Sequence, residues 1–218
     1  RKRLLKPAVG QLAEVSLDGE IRTKPRVEKS DFLKAVEDAK HYVRIGDVFQ
    51  VVIAQRFDLE SNASALDVYR VLRALNPSPY MYLLNFEDSE GPYAVVGSSP
   101  EALVKVNGGQ AITHPIAGSR PRGATVETDS AIGEGLLADA KERAEHLMLV
   151  DLARNDLLKV CQPSTVNVTE FMQIHRFSHI MHLVSTVEGT LRPGVNPVDV
   201  FRATFPAGTL SGAPKPRA

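Results

Sequence analysis

The chain has 218 residues, 43% of them hydrophobic, and its 26 basic residues balance its 26 acidic residues. This balance argues against a general nucleic-acid-binding protein, which would carry an excess of basic residues. No apolar run is long enough to span a membrane, and the single cysteine, Cys161, cannot form an intramolecular disulfide, so a cytoplasmic protein is expected.

The first part of the chain predicts a linker, a helix and a strand. Residues 1–29 are expected to form a linker and edge segment, with an edge strand over 11–17. Ser30 is a suitable N-cap for an amphipathic helix that Gly46 would end. The β-branched run at 48–59 predicts a buried strand.

The middle of the chain is dominated by strand patterns. A short amphipathic helix over 64–75 leads into the proline turn NPSPY. Strand-like runs then follow at 81–87, 93–100, 101–108 and 110–116. The NGG sequence within them fits a hairpin turn, and the glycine-containing segment 117–123 is expected to be a loop.

The longest helical pattern covers 130–160, where apolar residues recur at three- and four-residue steps. Asp129 and Ser130 offer N-cap chemistry, and no proline interrupts the run. Glu142 and Glu145 lie one turn apart on this helix. Glu145 adjoins the apolar stripe, where a carboxylate needs a partner or a metal, although a solvated helix face is the more frequent situation.

The last part returns to strands at 165–171 and 179–191, followed by a short helix at 197–205. The strands are grouped between helices without regular alternation, which predicts an α+β domain over 30–218. Pro214 suits a first helical position, yet the chain stops four residues later. The sequence is therefore expected to be a truncated piece of a longer chain.

Two glycine-containing segments, 115–123 and 205–215, are suited to binding a carboxylate or phosphate through backbone N–H groups, or are structural turns. Neither matches a nucleotide-binding fingerprint. Glu101 could act as a general acid if burial raised its pKa, or it could be an exposed rim residue.

Three histidines, His175, His179 and His182, are spaced four and three residues apart. On a helix this spacing would place them on one face, as in a zinc site. The neighbouring pattern instead indicates a strand, which separates their faces. His182 alone, beside a carboxylate, would make a proton-transfer group.

Four segments together carry a family resemblance: HLMLVDLARNDL, PIAGSRPRG, HIMHLVSTVEG and FPAGTLSGAPKPRA. Together they resemble the chorismate-utilising enzymes, and among these most closely the component I family of anthranilate synthases. The resemblance implies antiparallel sheets packed as a sandwich with helices outside, incomplete in this chain. It also implies Mg²⁺-dependent amination of chorismate at C2 with loss of pyruvate.

The resemblance assigns roles to individual residues. Glu145 matches a Mg²⁺ ligand, Glu101 the general acid that protonates the departing C4 hydroxyl, and His182 the histidine linked to proton transfer. Positions that contact the substrate correspond to Gly118, Ser119, Gly208 and Thr209. Ser119 stands where threonine is usual, and the hydroxyl is kept.

Two positions distinguish this chain from its relatives. Gln50 stands where water-adding members carry a lysine, and an amide cannot act as a base. Ala117 stands where many aminodeoxychorismate synthases carry a lysine for covalent capture of the substrate. Anthranilate formation is therefore the first expectation; an aminodeoxychorismate synthase and a non-catalytic partner-binding fragment are the alternatives.

The resemblance also implies partners and regulation. Ammonia would come from a glutamine amidotransferase subunit, and tryptophan would act as feedback inhibitor in the full-length protein. The inhibitor site is expected at Asn76, Pro79, Tyr80 and Met81. Because the family continues beyond the SGAPK motif, this piece is expected to be inactive by itself.

Overall fold

The computed structural model describes residues 23–218, so the edge strand expected at 11–17 lies outside the described residues. Six α-helices are present in this part of the chain: α1 (Lys29–Arg44), α2 (Ala65–Leu75), α3 (Val126–Ala138), α4 (Ala140–Leu158), α5 (Pro197–Thr204) and α6 (Gly208–Ser211). A single 3-10 turn covers Pro163–Thr165. None of these helices combines the length and apolar character needed to cross a membrane.

Eleven strands accompany the helices in the described residues. They are β1 (Thr23–Pro25), β2 (Gln50–Val51), β3 (Phe57–Leu59), β4 (Tyr80–Asp88), β5 (Gly91–Ser99), β6 (Lys105–Asn107), β7 (Gln110–Thr113), β8 (Ile116–Pro121), β9 (Asn167–Arg176), β10 (Ile180–Thr190) and β11 (Gly212–Ala213). Their pairings are antiparallel. The predicted α+β class is confirmed.

The described residues divide into two compact units, residues 23–29 with 55–100, and residues 30–54 with 101–218. The described part of the first unit contains the β1–β3 pair, α2 and the long β4–β5 hairpin. Ser64 caps α2 by accepting a hydrogen bond from the Asp67 N–H group at 3.2 Å, which confirms the predicted helix.

The second unit is built around β10, the central strand of a five-stranded sheet. β9 pairs along one edge of β10, while β7 and β8 pair with successive parts of the other edge. Alternate β10 residues are buried, beginning with Met181, Leu183, Ser185 and Val187. This face packs against α3 and α4 and forms the core of the unit.

A polar contact inside this core joins α4 to β10. His146 of α4 and Ser185 of β10 are fully buried, and His146 Nε2 lies 2.7 Å from Ser185 Oγ. The same hydroxyl accepts a hydrogen bond from the Met172 backbone N–H at 2.9 Å. Burial lowers the pKa of His146, which favours the neutral imidazole in this position.

The predicted helix over 130–160 is wrong in its continuity and in its cap. Thr125 begins α3 with a capping box, whereas Asp139 ends α3 and caps α4 by accepting from the Lys141 and Glu142 N–H groups. The apolar repeat continues through this junction, so periodicity alone does not reveal the break.

Asp129 has a different role from the predicted N-cap. Its carboxylate accepts from Arg122 Nε at 2.7 Å, from Arg176 Nε at 2.8 Å and from the Gly123 N–H at 2.8 Å. The Arg122 hydrogen bond is the largest of the effects that hold the pKa of Asp129 far below its usual range. Asp129 thus ties α3 to β9 and to the segment after β8.

Several strand predictions are also corrected. The region 48–59 forms only two short strands, and Phe49 and Phe57 are 74% and 61% exposed, so it is not one buried strand. Residues 101–104 lie outside any strand, and the loop predicted at 117–123 is mostly β8. Pro214 follows β11 and leads into a turn rather than a helix.

Leu183→Ala is expected to destabilise the second unit by about 2–5 kcal/mol, because it removes a fully buried side chain and leaves a cavity. Leu147→Ala makes the same chemical change on α4 at a side chain that is 55% exposed, and should change stability by less than about 0.5 kcal/mol. Urea unfolding of the two variants measures the difference. Equal losses would contradict the placement of Leu183 in the core.

Candidate functional site

The first group of predicted site residues lies where β8 pairs with β10. His182 is directly opposite Ser119, and its Nδ1 lies 3.0 Å from Ser119 Oγ and 3.1 Å from the Gly118 carbonyl oxygen. The register shifts after His182, so Gly118 forms a bulge with a φ of 66°. The structure therefore brings His182, Gly118 and Ser119 together.

The Gly118 bulge places the backbone close to the first turn of α4. A Cβ atom at this position would lie 3.0 Å from Leu136 Cδ1 and 3.2 Å from Glu142 Oε2. Arg120 reaches the same turn, donating to Asp139 Oδ2 at 3.0 Å and to Glu142 Oε1 at 3.4 Å. Glu142 is thus fixed beside Gly118, although the sequence argument assigned it no role.

Glu145 follows Glu142 by one helical turn and is half-buried. Mg²⁺ is commonly held by one or two carboxylates together with water and substrate oxygens, so the Glu145 carboxylate has the chemistry of a single Mg²⁺ ligand. Across residues 23–218, no group of three or more His, Cys, Asp or Glu side chains is placed to hold a metal ion. His175 and His182 lie directly opposite each other on β9 and β10, so the predicted strand is confirmed but the predicted separation of their faces is wrong. His175 bonds Glu170.

The second group of predicted residues lines a small pocket near the C-terminal half of α4. Glu101, Gly208 and Thr209 all contribute to its walls. The other lining residues are Leu103, Thr113, Pro115, Leu149, Leu152, Ala153, Asp156, Thr204 and Ala207. Its volume of about 50 Å³ is well below that of typical ligand pockets, so it can hold one functional group of a ligand rather than the whole molecule.

Glu101 has the environment that its predicted role requires. Burial raises the pKa of this carboxyl above its usual value, because a low-dielectric surrounding disfavours the charged form. Gly208 lies so close to α4 that a Cβ atom there would meet Leu152 Cδ2 at 2.0 Å. A larger residue at 208 would therefore require the Leu152 side chain to move before the segment carrying Thr209 could approach α4 this closely.

α4 connects the two groups. Glu142 lies in its first turn, whereas Leu152 and Asp156 line the pocket near its other end. Ten residues separate Glu142 from Leu152, which corresponds to about 15 Å along a helix. The two groups of predicted site residues therefore lie near the two ends of α4.

The residues predicted to bind an inhibitor lie in the first unit. Asn76 is the C-cap of α2, and its carbonyl oxygen accepts a hydrogen bond from Ser98 Oγ at 2.7 Å. Pro79 follows in the turn, and Tyr80 and Met81 begin β4. The turn leading into a strand is thus present, and its role as a binding site remains a prediction.

Sequence reasoning missed Asp156 and Lys215 near the pocket. Asp156 is 8% exposed and accepts from Lys215 Nζ at 2.5 Å. The sequence places them 59 residues apart, so helical spacing gave no signal for this pair.

Residues 11–218 match the family model described as chorismate binding enzyme. The chain therefore belongs to the chorismate-binding enzyme family. Two relatives support the resemblance to anthranilate synthase component I. That protein from Arthrobacter globiformis is 61% identical over 211 residues, covering 96% of this chain and 40% of the relative. The one from Mycolicibacterium smegmatis is 57% identical over 190 residues, covering 86% and 36%.

Solved structures show the same fold. Anthranilate synthase component I from Streptococcus pneumoniae superposes with a TM-score of 0.84 at 42% identity, covering 99% of this chain and 46% of that one. A putative 2,3-dihydroxybenzoate-specific isochorismate synthase from Bacillus anthracis gives 0.77 at 27% identity, covering 94% and 55%. The chain spans about 40% of the length of the curated relatives it matches.

Gly118→Ala is expected to destabilise the protein more than Gly109→Ala. Both glycines have positive φ, which costs an alanine about 1–2 kcal/mol, but a Cβ at Gly109 meets nothing within 4 Å. At Gly118 the new methyl group would also crowd Leu136 and Glu142. Urea unfolding compares the variants; equal losses would contradict the close packing of the bulge.

Glu101→Gln is expected to change the dependence of stability on pH. Burial raises the folded-state pKa of Glu101 above its unfolded value of about 4.3. The stabilisation is therefore complete below about pH 4 and is lost as the pH rises through the folded-state pKa. Because glutamine cannot ionise, the melting temperature of the variant should gain on that of the original chain as the pH rises. A constant or falling difference in thermal unfolding would contradict the burial of this carboxyl.

Proposed function

We propose that this chain is the part of an anthranilate synthase component I that carries the general acid, the proton-transfer histidine and a Mg²⁺ ligand. The reaction would be the amination of chorismate at C2 followed by loss of pyruvate, in the pathway to tryptophan, in the cytoplasm. The observation that carries the proposal is the half-buried Glu101 carboxyl, with its raised pKa, in one pocket with Gly208 and Thr209.

Glu101 supplies the proton for the first step. The C4–O bond of chorismate breaks, and the hydroxyl leaves as water after taking the proton of the Glu101 carboxyl. Ammonia adds at C2 as the ring double bonds shift, and the resulting ammonium group loses a proton. A pocket of about 50 Å³ suits a hydroxyl group and its hydrogen-bond partners rather than the whole ring.

His182 serves the second step, in which it takes the C2 proton, the bond from the ring to the enolpyruvyl ether oxygen breaks, and the ring becomes aromatic. The enolpyruvate that leaves takes up a proton at its methylene carbon to become pyruvate. Its Nδ1 faces the Ser119 hydroxyl and the Gly118 carbonyl oxygen, which fix the orientation of the ring. Gly118 and Ser119 are then substrate contacts as well as supports for the histidine.

Glu145, together with Glu142, would hold Mg²⁺. The ion would neutralise the ring carboxylate of chorismate and orient it. Arg120 keeps Glu142 beside Gly118, so the carboxylate is positioned near the histidine group before the ion binds.

Two side chains favour amination by ammonia over the reactions of relatives. Gln50 lies on β2 opposite Ala213 and offers an amide, which cannot act as a general base towards water. Ala117 is buried opposite Leu183 on β10 and offers no nucleophile. Ammonia would be delivered by a glutamine amidotransferase partner.

Feedback inhibition is part of the same proposal. Asn76, Pro79, Tyr80 and Met81 would contribute to a tryptophan site in the full-length protein. At about 40% of the length of its relatives, the isolated 218-residue chain is expected to form no product.

A chimera tests the proposal. The matching segment of the Arthrobacter globiformis protein is replaced by this chain, and chorismate, Mg²⁺ and ammonium are added. Anthranilate fluorescence and released pyruvate are expected. Glu101→Gln should lower kcat by about 10²–10⁴-fold, the usual contribution of a general acid. Glu134→Gln, the same change at an exposed residue of α3, should leave it unaltered.

The product identifies the alternatives. A para-aminated product without pyruvate would indicate an aminodeoxychorismate synthase, and isochorismate would indicate water addition. A folded chimera that binds the amidotransferase but forms no product would indicate a partner-binding role for this segment.

A further inference from the structure

A buried ion pair lies beside the pocket. Lys215 Nζ donates to Asp156 Oδ2 at 2.5 Å and to the Thr204 carbonyl oxygen at 2.6 Å. Both charged side chains are only 11% exposed. An ion pair this buried requires close geometry and satisfied hydrogen bonds to offset the loss of hydration.

The hydrogen bonds from Lys215 to Asp156 and to Thr204 close a loop of the chain. Thr204 is the last residue of α5, and residues 205–214 run from there to Lys215. One ammonium group therefore holds both ends of this ten-residue segment at Asp156 on α4. Gly208 and Thr209 lie within the closed segment, and both line the pocket with Glu101.

The middle of the segment rests on the same helix. Gly208 lies directly against Leu152, one turn before Asp156. Inside the segment, the Leu210 and Ser211 N–H groups donate to the Ala207 carbonyl oxygen at 3.0 and 3.1 Å. The position of Thr209 thus depends on the two ends of the segment and on this central contact.

The Lys215–Asp156 ion pair also changes the charge of the pocket wall. Asp156 is a carboxylate in the wall of the pocket, and by itself it would repel an anionic ligand. Lys215 neutralises it from the buried side. Lys159 also reaches Asp156, at 2.9 Å, but its side chain is 54% exposed and water screens it.

We propose that Lys215 and Asp156 are positioning residues, a buried clasp that closes residues 205–214 and holds Thr209 against the substrate opposite Glu101. The clasp itself rests on the geometry of this chain; its effect on chorismate rests on the proposed function.

Amide hydrogen exchange of the 218-residue chain tests the clasp directly. Lys215→Met should reduce the protection of the Leu210 and Ser211 amides by about 10- to 100-fold relative to β10 amides such as Val187, which corresponds to the loss of a hydrogen bond to a charged group. Lys159→Met removes the other ammonium from the same carboxylate and should leave these amides unchanged. Equal effects of the two variants would overturn the proposal.

A second variant covers the case in which Lys215→Met does not fold, because it leaves the Asp156 charge buried. Asp156→Asn combined with Lys215→Met removes both charges together. It should fold and show the same selective loss of protection at Leu210 and Ser211. Retained protection in the double variant would overturn the proposal.

The chimera tests the effect on the substrate. Lys215→Met combined with Asp156→Asn should raise the KM for chorismate about tenfold while kcat changes much less, since Thr209 is displaced and Glu101 is kept. Lys159→Met should leave KM unaltered. An active chimera with unchanged KM would overturn the positioning role. An inactive chimera with the expected exchange pattern would overturn the proposed function and support the clasp.

Discussion

The packing of α4 across β10 is the constraint on which the second unit depends. One face of β10 is buried almost completely, and α4 packs against it. There His146 Nε2 lies 2.7 Å from Ser185 Oγ, which also accepts a hydrogen bond from the Met172 N–H group, whereas His146 Nδ1 is buried without a hydrogen-bond partner in the described part of the chain. The contact fixes α4 along the strand, and thereby the places of the carboxylates on α4 relative to His182.

Asp129 provides a comparable constraint for α3. Its carboxylate accepts hydrogen bonds from two arginines and from a backbone N–H group just after β8, and these donors would otherwise need other partners. The same interactions keep it ionised over a wide pH range, because both arginines favour the charged form. The connection between β8 and the helices is therefore held by charge as well as by apolar contacts.

The sequence predicts the class of fold better than it predicts element boundaries. Strands β4, β5 and β10 follow from strand-like patterns, and α2 from its amphipathic pattern, since each signal is local. The break at Asp139 and the bulge at Gly118 could not be predicted in this way. An aspartate inside an apolar repeat looks like a surface residue, and a bulge depends on the partner strand.

The candidate site likewise contains residues that the sequence identified and residues that it did not. Motif resemblance selected Glu101, His182, Gly118, Ser119, Gly208 and Thr209, and the structure places them in two groups along α4. Glu142 and Asp156 were assigned no role because their contacts are with Arg120 and Lys215, which are distant in the chain. Pairings over such separations are set by tertiary packing, and no local pattern reports them.

The absence of a side chain at Gly208 has a consequence for how this protein can be altered. The Gly208 backbone packs against the Leu152 side chain. A larger residue at position 208 would therefore require Leu152 to move or to be replaced by a smaller residue. Substitutions at positions 208 and 152 should therefore covary during evolution.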